Sequence, residues 1–193
     1  MTNERIRIAV IIGSTRKGRF GPTVAAWFVE QTERHADLAV DVIDLADAKL
    51  PETLSDFGDE PGPEVAAVAS RLAAADAFVV VTPEYNHSFP ASLKSAIDWH
   101  SKEWHAKPIG FVSYGGMAGG LRAVEHLRQV FAELHAVTIR DTVSFHGAWS
   151  QFEPDGQAKA PEECNAAAKS MLDQLIWWGH ALRDARAKRP YRT

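Results

Sequence analysis

The sequence predicts an α/β protein built on a doubly wound parallel sheet. Apolar, β-branched runs alternate with amphipathic helical segments five times along the chain. Three of those runs empty directly into loops rich in glycine, proline or hydroxyl side chains, the positions where open parallel sheets bind ligands. No internal repeat or low-complexity linker breaks the alternation. At 193 residues, 46% hydrophobic and 24% charged, the chain has the size and apolar content of one domain, expected over residues 1–193. Either of the two common strand orders satisfies this pattern.

The first strand, Ile6-Arg-Ile-Ala-Val-Ile-Ile12, runs into Gly13-Ser-Thr-Arg-Lys-Gly-Arg-Phe-Gly-Pro22, and a helix follows with Val24, Trp27 and Phe28 on one face. Strand, Gly/Ser/Arg loop and helix N-terminus is the build of an anion site. Ser14 and Thr15 bring hydroxyls, and Arg16 and Arg19 bring forked, charge-assisted donors that suit a phosphate. No Gly-Lys-Ser/Thr closes the loop, and its glycines at 13, 18 and 21 do not make GxGxxG. A terminal monophosphate fits better than a nucleoside triphosphate or a tightly held dinucleotide; a solvated basic loop is the plainer alternative.

Leu38–Asp44 reads as the second strand. Asp47 to Pro63, with three prolines, two glycines and many acids, is expected to wrap the surface beside it. Val65, Val68, Ala69 and Leu72 mark the next helix. The third strand, Ala77-Phe-Val-Val-Val-Thr82, leads into Pro83-Glu-Tyr-Asn-His-Ser-Phe-Pro90 and a helix ending near Trp99. A stiff main chain with Tyr85 and Asn86 suits the edge and face of a flat heteroaromatic ring, although an ordinary Pro/Asn turn has the same composition.

Pro108-Ile-Gly-Phe-Val-Ser-Tyr114 is the fourth strand, and it opens into Gly115-Gly-Met-Ala-Gly-Gly120. Those glycines either admit a bulky ligand or serve a tight turn and helix–sheet packing. Leu121, Val124, Leu127, Phe131 and Leu134 follow at helical spacing. Ala136-Val-Thr-Ile139 begins the fifth strand, and Met171, Leu172, Leu175, Trp178 and Leu182 mark the last helix. Val143 to Pro161 is expected to be irregular; its Phe145-His-Gly-Ala-Trp149 portion either borders the site or packs on the last helix.

These residues resemble the NADPH-dependent FMN reductase family of flavodoxin-like proteins, which includes quinone, azo-dye and chromate reductases. The likeness rests on Gly13-Ser-Thr-Arg16 with Arg19-Phe-Gly-Pro22, on Pro83-Glu-Tyr-Asn86 with Pro90, Leu93, Lys94, Ala96, Asp98 and Trp99, and on Ser113-Tyr-Gly-Gly116 with Gly119 and Gly120. It covers roughly residues 5 to 185. Many members carry Ser and Asn in the second half of the phosphate loop, where this chain has Arg19 and Gly21.

The resemblance implies a flavodoxin-like order, with a five-stranded parallel sheet in a three-layer α/β/α sandwich. It implies FMN as cofactor, held by Ser14, Thr15, Arg16, Arg19, Phe20, Gly21 and Pro22 at the phosphate end. Pro83, Glu84, Tyr85 and Asn86, with Ser113, Tyr114, Gly115 and Gly116, would surround the ring. NADPH as co-substrate would pass hydride through flavin N5 to a quinone or similar small acceptor by a ping-pong mechanism, with no catalytic side chain required. A homodimer or tetramer is also implied. The competing reading is a flavodoxin-type electron carrier acting with protein partners. The arginines of the first loop and the modest net charge of −4 favour the reductase.

The same composition narrows other possibilities. A net charge of −4 gives no reason to expect nucleic acid. The single Cys164 cannot form an internal disulfide and sits in a helix-like, alanine-rich segment. His87, His100, His105 and His146 match no metal-ligand spacing, so no metal is expected. A strand within a few residues of Met1, and the lack of a long apolar run, point to a cytoplasmic protein with no membrane contact. Asp44 and Asp47 alone do not make a phospho-acceptor cluster. Trp99, His100, Trp104 and His105 are expected to form an exposed aromatic surface suited to a subunit contact, with the tryptophans packed in the core as the plainer alternative.

Overall fold

The computed structural model describes residues 5–56 and 59–192. Strands β1 (Ile6–Ile12), β2 (Leu38–Asp44), β3 (Ala77–Pro83), β4 (Pro108–Gly115) and β5 (Val137–His146) form one sheet in the order β2-β1-β3-β4-β5, every pair parallel. This is the flavodoxin-like order. The helices are α1 (Gly21–Thr32), the single turn α2 (Leu45–Ala48), α3 (Pro63–Ala74), α4 (Ala91–Asp98), α5 (Leu121–Glu133) and α6 (Pro161–Lys188).

Strand alternation divides the core in two. Ile6, Ile8, Val10 and Ile12 of β1 pack with α1 and α6, while Ala9 and Ile11 pack with α3, α4 and α5. Central β3 is buried along its whole length, which is why its sequence is an unbroken apolar run. On one face Trp27 meets Phe145 edge-on at 4.9 Å; on the other Trp104 meets Phe78 at 4.7 Å and Phe131 at 5.3 Å. Each such fully buried side chain contributes about 1.5–3 kcal/mol relative to exposure.

The structure corrects two expectations. Trp104 and His100 are buried, 1% and 2% exposed, so they are core residues and do not form an exposed aromatic surface. His100 Nδ1 pairs with Ala96 O at 2.7 Å, and Trp104 Nε1 donates to His100 O at 2.6 Å. Trp99 is half-buried and donates to Pro51 O at 2.9 Å, which ties down part of the 47–63 stretch; residues 57–58 of that stretch lie outside the described residues.

The second correction concerns β5, which continues to His146 and takes in Val143 and Phe145. Its pairing with β4 slips, from Ile109 opposite Thr138 to Phe111 opposite Thr142. The polar Arg140, Asp141 and Thr142 fall at this irregularity and carry no apolar strand signal. Arg128 donates to Ile139 O at 2.7 Å and Arg140 O at 3.1 Å, and Gln174 Oε1 accepts from Asp141 N at 3.1 Å. These side chains satisfy backbone groups that the ladder leaves open.

At the amino edge, Lys107 is 7% exposed and its ammonium donates to Leu72 O at 2.8 Å and Ala73 O at 3.1 Å, the carbonyl end of α3. Burial, reinforced by nearby Arg186, brings its pKa down to about 8. Among the described residues no helix is long and apolar enough to cross a membrane.

Candidate cofactor-binding site

Because every strand is parallel, the loops after β1, β3 and β4 leave the same carboxyl edge. The first loop is pinned at its start: Gly13 N donates to Val81 O at 2.9 Å and Ser92 Oγ donates to Gly13 O at 2.7 Å. Thr15 and Arg16 then rise to the surface, and a turn closed by Arg19 N to Arg16 O, with Gly18 at φ +65°, brings the chain back. Helix α1 begins after Phe20 without a side-chain cap, and Pro22 lies in its first turn. Its N-terminal N–H groups therefore face the loop without an internal acceptor side chain.

The two arginines stand in different surroundings. Arg16 is exposed on the loop. Arg19 is mostly buried and pairs with Asp44 at the end of β2, whose other oxygen caps α2 by accepting from Ala46 N at 3.0 Å. Asp44 was not among the residues expected at the site. Its position as an Asp directly before a helical turn is the signal that identifies it as a cap. Arg19 Nε is buried without a protein partner, and the buried Tyr114 hydroxyl has only the Gly21 N–H close by. Burial, and then the neighbouring Tyr85, push the Tyr114 phenol pKa up, so it stays protonated. A Cβ at Gly21 would stand 2.9 Å from that phenol oxygen and from Ile12 Cγ2, so glycine is needed there while Tyr114 occupies the space.

Ser14 is completely buried, and its hydroxyl lies 2.7 Å from the Tyr85 hydroxyl. Tyr85 belongs to a tight reversal in which Tyr85 N donates to Ser88 O at 2.8 Å and Ser88 N donates to Tyr85 O at 3.1 Å. Asn86 and His87 occupy the two central positions at φ +49° and +76°, the signature of a type I′ turn. Pro83 ends β3 opposite Tyr114. Glu84 is committed to α5: it meets Arg122 Nε at 2.8 Å and accepts from Arg122 N at 3.2 Å, while Arg122 Nη1 donates to His87 Nδ1 at 2.7 Å. Ser88 Oγ pairs with His126 at 3.0 Å. The second loop is thus fastened to α5 on one side and to Ser14 on the other.

The third loop separates its glycines by task. Gly119 and Gly120 serve packing: Cβ atoms there would lie 2.5 Å from Ser144 Oγ and 2.7 Å from Ser113 Cβ, and both have positive φ. Gly116 is exposed, and a Cβ there would meet open space. Ser113 and Ser144 both donate to Gly119 O at 2.8 Å, His146 Nδ1 pairs with Met117 O at 2.9 Å, and Gly147 N donates to Gly116 O at 2.8 Å. The end of β5 therefore anchors this loop. Ser113 and Tyr114 turn their side chains into the protein, so only their backbone could meet a ligand.

A cleft of about 610 Å³ opens beside Thr15, between α2 and the start of α4, with Lys49, Leu50 and Ser92 on its walls. Among the described residues no three His, Cys, Asp or Glu side chains converge as a metal site.

Comparison with known proteins places these features in context. A family model described as NADPH-dependent FMN reductase matches residues 6–150. An NAD(P)H-dependent FMN reductase of Schizosaccharomyces pombe is 39% identical over 125 residues, covering 59% of this chain and 60% of that protein. The chain thus spans less than two thirds of that relative's length. A quinone reductase of Escherichia coli is 34% identical over 163 residues, 80% of this chain and 84% of that protein. Among solved structures, a flavoenzyme NAD(P)H:(acceptor) oxidoreductase from Paracoccus denitrificans superposes with a TM-score of 0.73 at 22% identity, over 88% of this chain and 97% of that one. That likeness establishes the fold.

Proposed function

Because the chain belongs to the NADPH-dependent FMN reductase family, we propose that it holds FMN across the three loops and carries reducing equivalents from NADPH to a quinone or similar small acceptor. It is an oxidoreductase of that family, with FMN as cofactor and NAD(P)H as reductant. The observation that carries this reading is the loop after β1, where exposed Arg16 stands beside the uncapped end of α1 and Arg19 Nε is buried without a protein partner. A phosphate-bearing ligand fits a loop built this way.

In this reading Thr15 offers a hydroxyl and Arg16 a forked cation to the phosphate, next to the N–H groups that open α1. Arg19, paired with Asp44, holds the loop in shape. The backbone of Pro83–Asn86 and of Gly115–Gly116 would line the ring edge with Tyr85 beside it, and the open space in front of Gly116 gives room for the approach. When bound, FMN supplies the redox chemistry; the protein positions it and leaves one face accessible. No side chain is assigned as a general acid or nucleophile. NADPH and the acceptor would approach through the same open space in front of Gly116 in turn, giving ping-pong kinetics. The family match does not favour an electron carrier acting with protein partners.

The whole chain serves as one FMN-binding domain in a cytoplasmic homodimer or tetramer. The assembly follows from the resemblance, since the tryptophan surface once expected to support it is buried at Trp104. Sedimentation of the purified protein reads the assembly directly, and a monomer would remove it. The central experiment is the visible spectrum of the protein with FMN, followed by initial rates over a grid of NADPH and quinone concentrations. Flavin bands that co-elute with the protein and parallel double-reciprocal lines are expected. Intersecting lines would overturn the ping-pong order, and failure to bind FMN would overturn the reading.

A further inference from the structure

We infer that Ser14 is a positioning residue that couples the phosphate loop to the ring loop by fixing the Tyr85 phenol, and is not itself a phosphate ligand. The inference rests on the FMN reading above. Ser14 has no exposed surface, although its neighbours Thr15 and Arg16 stand in solvent. Its hydroxyl spends its reach on Tyr85, 71 residues away in sequence and 2.7 Å away in space. The same oxygen accepts from Arg16 N at 3.4 Å. With Arg16 N–H and the Tyr85 phenol gathered on it, the hydroxyl sits at the junction of the two loops.

Both ends of this bond are held by backbone. Gly13, immediately before Ser14, is bonded to Val81 on β3 and to Ser92 on α4. Tyr85 is locked by two backbone hydrogen bonds to Ser88 across its turn. What the backbone does not fix is the swing of the Tyr85 side chain about its Cα–Cβ bond, and Ser14 holds the far end of that side chain. An aromatic side chain beside a flat ligand ring must keep its position to pack well, and a site residue needs its rotamer locked by its neighbours. Ser14 meets that need, and through Arg16 N–H it links the ring to the loop that carries Arg16.

The test is a double-mutant cycle of Ser14→Ala, Tyr85→Phe and the pair, each titrated with FMN and with riboflavin while the flavin visible spectrum is recorded. Either single change should weaken both flavins by the same factor, about threefold to tenfold for one neutral hydrogen bond. Each should alter the flavin band shape, and the pair should be no worse than either alone. Thermal midpoints of the flavin-free proteins should stay close together, which separates positioning from folding. A Ser14→Ala variant that loses FMN but keeps riboflavin would make Ser14 a phosphate ligand. Effects that multiply in the pair would break the coupling. If the wild type binds no flavin, the functional reading falls, but the tyrosine ultraviolet difference spectrum between wild type and Ser14→Ala still tests the bond. No difference there would overturn it.

Discussion

The two edges of the sheet bury polar groups in opposite ways. At the amino edge the chain satisfies its own: Lys107 donates to two carbonyls at the end of α3, both His100 ring nitrogens lie near carbonyl oxygens, and Trp104 Nε1 donates to His100 O. At the carboxyl edge Arg19 Nε is buried with no protein partner, and the buried Tyr114 OH has only the Gly21 N–H close by. The amino edge has one exception among the described residues, Gln31 Oε1 near the far end of α1, against the two atoms gathered at the carboxyl edge. A buried unsatisfied polar group costs about 1–3 kcal/mol. Leaving two poorly satisfied atoms together beneath one loop marks that edge as built for something besides stability.

Substitutions at the two edges should therefore separate folding from binding. The largest effect is expected for Trp104→Ala. Removing a fully buried tryptophan that packs on Phe78 and Phe131 should lower stability by about 3–5 kcal/mol, read from denaturant unfolding. FMN affinity of the folded fraction should not change. A loss of FMN binding at unchanged stability would erase the contrast between the edges.

Arg16→Ala should do the reverse. The lost hydrogen bond is charge-assisted, so about 1.5–3 kcal/mol of FMN affinity should go while riboflavin binding is kept. Because Arg16 is exposed, the unfolding midpoint should barely move. Equal weakening of both flavins would make Arg16 a structural residue and move the phosphate elsewhere.

Lys107 sharpens the comparison through pH. Its pKa is about 8 in the folded chain, against an ordinary value of 10.5 in the unfolded one. Below pH 8 both states are charged and the folded state bears the full cost of burying the ammonium. Between the two values the unfolded state binds more protons, so stability rises with pH. From pH 8 to 9.5 that rise is about 2 kcal/mol. Lys107→Met should lack it, so the difference between variant and wild type across that window isolates the group. Parallel stability curves for the two proteins would show that Lys107 keeps its ordinary affinity for protons.

Much of this architecture is legible in the sequence because buried parallel strands need unbroken apolar runs. β3 shows one outright, β1 and β4 show runs interrupted at Arg7 and Ser113, and each passes straight into its loop. β5 is an edge strand whose register slips where Arg140 and Asp141 stand, so its second half carries no such run. Trp104 and His100 were misplaced because the short connection after α4 has no periodicity to say which way a ring turns. The loops of the site were legible as loops; their internal ties were not. Arg19 with Asp44, Glu84 with Arg122 and Ser14 with Tyr85 join residues 25, 38 and 71 positions apart. Such pairings depend on which strands are neighbours, and the alternation left two strand orders open.

The smallest expected effect tests whether the ring end is held by backbone or by side chain. Asn86 sits at φ +49° in the type I′ turn, a conformation asparagine tolerates better than alanine because its short polar side chain can hydrogen-bond locally, so Asn86→Ala would confuse turn strain with lost contact. Asn86→Gly is the cleaner probe, because glycine adopts that conformation freely and keeps the N–H and C=O groups in place. Stability should change by under about 1 kcal/mol, and FMN affinity and NADPH oxidation should stay within about twofold of wild type. A tenfold loss of either with the turn intact would make the Asn86 amide a direct partner of the flavin. The ring would then be recognised by a side chain at the tip of the second loop, and the open backbone in front of Gly116 would serve only for access.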